Sequence, residues 1–307
     1  MAVRAAPTEP VLLGALSLDI YVGRGLVLPG GGILNMAWHW AHVGKPFRLI
    51  SRVGDDQPAV FTEFLAHHGI MATLELVGRG ASASIDIVIQ HDLQPRMDNF
   101  VEGVWADFAS TPAEEAVVAA APSVHLVLVE GAIRELSRLH AAGVVGAGAG
   151  PEVTADFLGF RHYTVERLAQ TMQAVDIGFV GWPGAADDDT VTGIRDVAHK
   201  LRRLIVVTLG SRGVLVFDGR PASAGGIGDV AVPVVPVDVV GTTVGCGDAF
   251  VAAFLASWHA RRDVLSAVEA GKAAGAAATA WRRPLPDSAY GPEAVAALQR
   301  ADEAAAL

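Results

Sequence analysis

Gly241-Thr242-Thr243-Val244-Gly245-Cys246-Gly247-Asp248-Ala249-Phe250 runs directly into the apolar stretch Val251-Ala252-Ala253-Phe254-Leu255-Ala256. A glycine-rich turn feeding a helix leaves backbone N–H groups unpaired and aimed at one spot, and the helix dipole adds positive potential there. Such a turn suits negative charge, phosphate in particular. Asp248, in the first helical turn, adds a candidate proton acceptor. An anion cradle beside a base is what phosphoryl transfer to a hydroxyl requires. In isolation the stretch is equally a tight strand-to-helix turn, because Gly-x-Gly matches arise by accident. Cys246 opens a rival reading, since a thiol at a helix N-terminus can become a nucleophile. None of the ten histidines sits in a cysteine-hydrolase signature, so a small side chain filling a crowded turn is the favoured reading.

Outward from this turn, short β-rich runs alternate with Ala/Leu-rich helical runs. Strands are expected at Pro10–Leu16, Phe47–Val53, Ser123–Leu128, Glu152–Phe157, Asp176–Val180 and Leu204–Thr208, with helices at Ile33–Val43 and Ala59–His68. The alternation predicts an α/β fold with a parallel sheet between helices. Gly213–Phe217 and Val230–Val237 follow without an intervening helix and read as antiparallel edge strands. Helices at Asp248–Ala260, Val264–Trp281 and Pro292–Ala305 close the chain. Asp19–Pro29 and Ser82–Phe108 break the rhythm. They read either as a small β-rich lid over the carboxyl ends of the strands, where open α/β sheets bind ligands, or as a decorated edge hairpin.

The 307 residues suit one large domain, and 51% are apolar, enough for a sizeable core. A net charge of −10 argues against nucleic acid or an anionic membrane as partner. One cysteine excludes an internal disulfide and fits a reducing cytoplasm. No membrane-length apolar run or signal-peptide core is visible, so a soluble, cytoplasmic protein is expected.

Two further stretches carry chemistry. In Pro29-Gly30-Gly31-Gly32-Ile33-Leu34-Asn35, consecutive glycines let backbone approach a ligand, and Asn35 offers both a donor and an acceptor. Asp19 upstream can accept paired hydrogen bonds from vicinal hydroxyls. Thr208-Leu209-Gly210-Ser211-Arg212-Gly213 ends an apolar strand and could accommodate a nucleotide's ribose or phosphates, with Arg212 nearby, though a plain hairpin turn fits too. His39 and His42 beside Trp38 and Trp40 read as packed or surface residues rather than metal ligands. Asp187-Asp188-Asp189 reads as a helix cap more readily than as a Mg²⁺ site.

These stretches, together with Arg52-Val53-Gly54-Asp55-Asp56, resemble in order and spacing the ribokinase/PfkB family of carbohydrate and nucleoside kinases. The resemblance spans nearly the whole chain. Within the family, Phe100-Val101-Glu102-Gly103-Val104-Trp105-Ala106-Asp107-Phe108, Asp19-Ile20-Tyr21 and Thr154-Ala155-Asp156-Phe157 are similar to segments of the fructosamine (fructoselysine) 6-kinases. The resemblance implies a single domain over 1–307 with a Rossmann-like three-layer α/β/α ribokinase fold. Its small β-sheet lid would be formed by segments near 17–30 and 82–108. It further implies ATP- and Mg²⁺-dependent phosphorylation of a primary hydroxyl on a ketose or fructosamine, with a nucleoside kinase or a catalytically silent sugar- or nucleotide-binding protein as alternatives.

On that resemblance Asp248 is the base, and the backbone at Gly245, Cys246 and Gly247 stabilises the transferring phosphoryl group. Asp19, Gly31, Asn35 and Glu102 hold the sugar, and Thr208, Gly210 and Gly213 line the nucleotide. The acidic segment around Asp98 and Glu102 would suit a substrate ammonium, or be simply a solvated surface. A homodimer through the lid is compatible with its strand-like edge. Three departures stand out. Gly181-Trp182-Pro183-Gly184 replaces the Asn-x-x-Glu that organises magnesium's water shell in many relatives. Thr242-Thr243-Val244 replaces the usual Asp-Thr, which puts a monovalent-cation site in doubt, and Cys246 replaces an alanine.

Overall fold

The computed structural model describes residues 9–73, 75–89, 95–146, 150–160 and 163–291. In chain order the elements begin with β1 (Val11–Leu13), β2 (Ser17–Tyr21), β3 (Leu26–Gly30), α1 (Gly32–His42), β4 (Arg48–Ile50) and α2 (Pro58–His67). Then follow β5 (Ala83–Ile89), β6 (Pro95–Val101), α3 (Pro112–Ala120), β7 (Ser123–Val127), α4 (Glu130–Ala141), β8 (Glu152–Asp156) and α5 (Val165–Thr171). The remainder is β9 (Ile177–Gly181), α6 (Asp189–Leu201), β10 (Leu204–Thr208), β11 (Val214–Asp218), β12 (Gly228–Val232), α7 (Cys246–Arg261) and α8 (Val264–Ala278). The helix expected at Pro292–Ala305 lies outside the described residues.

The contacts divide the chain into two units, one holding residues up to Leu13 and Ala109–Pro236, the other Gly14–Phe108 and the chain from Val237. In the first unit seven strands lie in the order β12-β11-β10-β9-β8-β7-β1. Neighbours from β1 to β10 pair in parallel, while β10–β11 and β11–β12 pair antiparallel. The expected sheet with its antiparallel edge is therefore present. Its central strands are continuous apolar runs, as parallel strands covered on both faces must be: Leu204, Ile205, Val206 and Val207 are fully buried. The last strand stops at Val232, short of the expected Val237, because Pro233 and Pro236 lack the N–H groups a ladder needs.

Local signals set the helix starts. Thr111 and Glu114 form a reciprocal capping box ahead of α3, with Pro112 in its first turn, and Thr164 caps α5. The Asp187–Asp189 run behaves differently. Asp188 stands at the N-cap of α6, but its carboxylate accepts from the Trp182 indole N–H at 3.0 Å rather than from the helix backbone.

In the second unit, β3-β2-β5-β6 form a separate four-stranded sheet from the two segments that broke the α/β rhythm. The Arg52–Asp56 stretch fastens the loop leading into β5. Ser82 donates from both N–H and hydroxyl to Asp56 Oδ1, at 3.0 and 2.7 Å, and Gly80 N–H donates to Asp55 at 3.0 Å. Trp105, fully buried, donates its indole N–H to the Arg52 carbonyl at 2.9 Å and stacks on Phe108. Trp105 and Phe108 of the Glu102–Phe108 segment are thus spent on packing. Helix α1 lies against α7, where the Trp40 indole N–H donates to the Ala252 carbonyl at 2.9 Å. That contact sets which face of α1 meets the start of α7.

Candidate active site

The glycine turn and the stretch around residue 30 meet in the second unit. Asn35 lies one turn into α1 and Asp248 in the first turn of α7. The Asn35 amide donates to Asp248 Oδ2 at 2.7 Å across 213 residues of sequence. The other half of that amide, Oδ1, is buried and has no hydrogen-bond partner among the described residues. Asp19 on β2 is 5% exposed and accepts from the Ser17 hydroxyl at 3.0 Å. Gly30 exists for this carboxylate, because a Cβ there would lie 2.2 Å from the carboxyl carbon and both its oxygens. Gly31, at φ +96°, then turns the chain into α1.

Among the described residues neither carboxylate has a cationic partner to hold its charge. Burial pushes Asp19 up to about 7, against the Ser17 hydrogen bond and with help from the negative charge of Asp248. Burial likewise lifts Asp248 to about 6, opposed by the Asn35 amide. Asp248 as a residue keeps partial exposure, but its carboxyl group is enclosed, and the enclosure of the group itself governs the shift. A carboxyl of pKa near 6 is ionised at neutral pH and basic enough to take a proton in a transition state.

At the head of α7, Gly245 adopts a left-handed conformation, φ +79°, and packs against Pro284, which a Cβ would meet at 2.6 Å. Cys246 N–H reaches the Thr243 carbonyl at 3.4 Å, while the N–H groups of Gly247 and Asp248 have no hydrogen-bond partner among the described residues. Gly247 is exposed and nothing within 4 Å would meet a side chain there. An open helix N-terminus beside the Asp248 carboxylate is therefore present. The Cys246 thiol is pushed up to about 11 by burial and by Asp248, so it stays protonated and the nucleophile reading loses its basis. Thr242 is buried, its N–H donating to the Trp281 carbonyl at 2.8 Å and its hydroxyl accepting from Val244 N–H at 3.3 Å.

The other expected residues are placed as follows. Glu102, half-buried, begins the 3-10 turn Gly103–Asp107 after β6. That is two strands from Asp19, about 10 Å at ordinary strand spacing. Asp98 pairs with Arg96 at 2.6 Å on an exposed strand, which supports the solvated-surface reading. His39 stacks on Trp281 and is held neutral, near 4, by burial and by His42. Sequence reasoning gave no role to Ser17, whose position two before Asp19 on one strand face was the available signal.

Thr208, Gly210 and Gly213 lie in the first unit, where β10 ends. Gly210 has open space around it, and Gly213 (φ +117°) packs on the Val232 carbonyl. This is a backbone surface a nucleotide could approach. The Arg212 guanidinium is engaged by backbone carbonyls. It donates to the carbonyls of Gly184, Pro183, Trp182 and Leu209, tying down the loop after β9. In that loop a Cβ on Gly184 would sit 2.2 Å from Asp188 Oδ2 and 2.7 Å from the Trp182 indole nitrogen. No group of three potential metal-binding side chains stands together among the described residues. Gly181 and Gly184 carry no side-chain ligands, so the Asn-x-x-Glu arrangement does not stand at these positions.

A mostly parallel sheet flanked by helices, with a glycine turn opening a helix beside a buried carboxylate, is the architecture of the ribokinase-type kinase fold. The pfkB family carbohydrate kinase pattern matches residues 16–282, and the chain belongs to that family. It is accordingly a phosphotransferase acting on a hydroxyl group, a sugar or nucleoside kinase. The chain is 27% identical over 267 residues to fructoselysine 6-kinase of Escherichia coli (strain K12), covering 86% of this chain and 94% of that one. Cytidine kinase of Thermococcus kodakarensis is also 27% identical, over 277 residues, covering 85% and 92%. Among solved structures, Arabidopsis thaliana ribokinase complexed with ribose and ATP superposes with a TM-score of 0.69 at 20% identity, covering 96% and 98%.

Proposed function

We propose that the protein transfers the γ-phosphoryl group of ATP to a primary hydroxyl of a ketose or fructosamine. The observation that carries this is the acceptor-rich site. The Asn35 Oδ1, the Asp19 carboxylate and the Asp248 carboxylate present oxygens with no cation beside them among the described residues, so the ligand must supply donors. A polyol does so, and a substrate amine adds more. Asp248 takes the proton of the attacking hydroxyl, and Asn35 fixes the orientation of that carboxylate. The backbone at Gly245, Cys246 and Gly247, with the dipole of α7, steadies the charge of the transferring group. Asp19, Gly31 and Glu102 hold the sugar. Thr208, Gly210 and Gly213 line the nucleotide. Magnesium would arrive on the ATP phosphates and neutralise charge there, with no protein cage for it at Gly181 and Gly184.

The sheet β3-β2-β5-β6 acts as a lid and excludes water during transfer. Its exposed apolar residues Val27, Met97 and Phe100 favour a homodimer through this sheet. The 27% identity to fructoselysine 6-kinase supports the fructosamine assignment, and the equal identity to cytidine kinase makes a nucleoside the second reading. An ADP-release assay over fructosamines, free ketoses and nucleosides tests this. Turnover confined to nucleosides would replace the sugar reading, and turnover of none would end it.

A further inference from the structure

We infer that Tyr21 is a specificity-determining residue whose hydroxyl binds an amine or hydroxyl at the end of the substrate remote from the phosphorylated group. This rests on the ketose or fructosamine reading above. Side chains alternate along a strand, so Ser17, Asp19 and Tyr21 share one face of β2. All three are buried, Tyr21 at 3% exposure. Its strand neighbours on that face are dry: Leu26 opposite on β3 is 5% exposed and Ile87 on β5 is 1% exposed. Among the described residues the Tyr21 hydroxyl has no hydrogen-bond partner. A buried hydroxyl left unpaired costs stability, and folds seldom keep one without a use.

Topology places this hydroxyl along the site. Ser17 pairs with Gly30, after which the chain turns at Gly31 into α1 and reaches Asn35 and its partner Asp248. Tyr21 pairs with Leu26, at the opposite end of the hairpin. Two residues along a strand put Tyr21 about 6.6 Å beyond Asp19. The order is therefore Asp248 with Asn35 at the reacting hydroxyl, then Asp19, then Tyr21. Around the phenol stand Tyr290, Asp19, Arg283 and Arg24, whose charges act on it. Burial holds the phenol protonated, so it can donate as well as accept. The Arg283 guanidinium pairs with Asp287 at 2.6 Å. A neutralised cation beside a neutral phenol favours a hydrogen-bonding group over an anion.

The test is steady-state kinetics of the wild type and Tyr21→Phe with two sugars, alongside thermal melts of each protein without sugar. Fructoselysine carries an amine on C1, and 1-deoxyfructose carries no polar group there. Tyr21→Phe should raise KM for fructoselysine about fivefold to tenfold, one hydrogen bond's worth. It should leave kcat, KM for ATP and KM for 1-deoxyfructose unchanged. The melting temperature should hold or rise, because an unpaired buried hydroxyl is removed. Equal KM changes for both sugars, no change for either, or a lowered melting temperature would overturn the inference. If the wild type phosphorylates neither sugar, the substrate reading falls and this inference with it. A wild type active on fructoselysine with Tyr21→Phe indistinguishable from it sinks the Tyr21 role alone.

Discussion

Asp218 and Asp19 are both buried carboxylates, 2% and 5% exposed, with opposite surroundings. Asp218, at the end of β11, receives Arg220 on both oxygens at 2.8 Å and the Ile227 N–H at 3.0 Å. Burial alone would raise it, but those donors hold it below the usual carboxylate range. Among the described residues, Asp19 and its neighbour Asp248 have only the Ser17 hydroxyl and the Asn35 amide, and both are pushed up. A carboxylate satisfied inside the fold braces structure. On the function proposed above, one left short of donors is kept for a ligand, at a cost in stability that functional sites commonly carry.

The sharpest way to break this contrast is to neutralise each carboxylate in turn. Asp248→Asn should lower kcat about a thousandfold, the scale of a lost general base, while leaving ATP affinity by calorimetry largely intact. Asp218→Asn should instead leave kcat near wild type and reduce denaturant stability by about 2 kcal/mol, a lost charged hydrogen bond. Reversed outcomes would void the distinction.

Gly30→Ala comes next. Its Cβ would fall 2.2 Å from the Asp19 carboxyl, so Asp19 must move and kcat/KM should drop about a hundredfold. An unchanged kcat/KM would separate Asp19 from substrate binding.

A pH profile sharpens the same point. With Asp19 near 7 and Asp248 near 6, kcat/KM should level off above neutrality and fall as pH drops through those values. A flat profile from pH 5 to 8 would contradict it.

The smallest effect is on stability. A carboxyl whose folded pKa is raised contributes stability that is fully present below its ordinary value of 3.8 and is lost as pH rises through about 7. Asp19→Asn should therefore raise the melting temperature at pH 8 by about 2–4 °C and change little at pH 4. For Asp218 the folded value is lowered, so its stabilisation is present above 3.8 and lost as pH falls through that lower value.

Much of the architecture was legible in the chain itself. The alternation of apolar strands with helical runs predicted the parallel sheet, because hydrophobic period and turn residues act locally. The two segments that broke the rhythm became the second sheet. Only strand ends and caps strayed, where Pro233 stopped β12 and Trp182 diverted Asp188 from its helix. The candidate site was legible only as residue types: the Gly245–Asp248 turn, Asn35 and Asp19 could be named, while the pairing of Asn35 with Asp248 and the use of Arg212 on backbone carbonyls could not.

By itself the sequence determined that a flexible glycine turn enters a helix with an acid in its first turn, which is a matter of backbone freedom and spacing. Only the tertiary structure decided that Asn35 would meet Asp248 across 213 residues, that Gly30 would make room for Asp19, and that the Tyr21 hydroxyl would lie buried without a hydrogen-bond partner among the described residues. Those outcomes depend on which surfaces pack together. Hydrogen-bond satisfaction and desolvation are properties of that packing, and no local pattern encodes them.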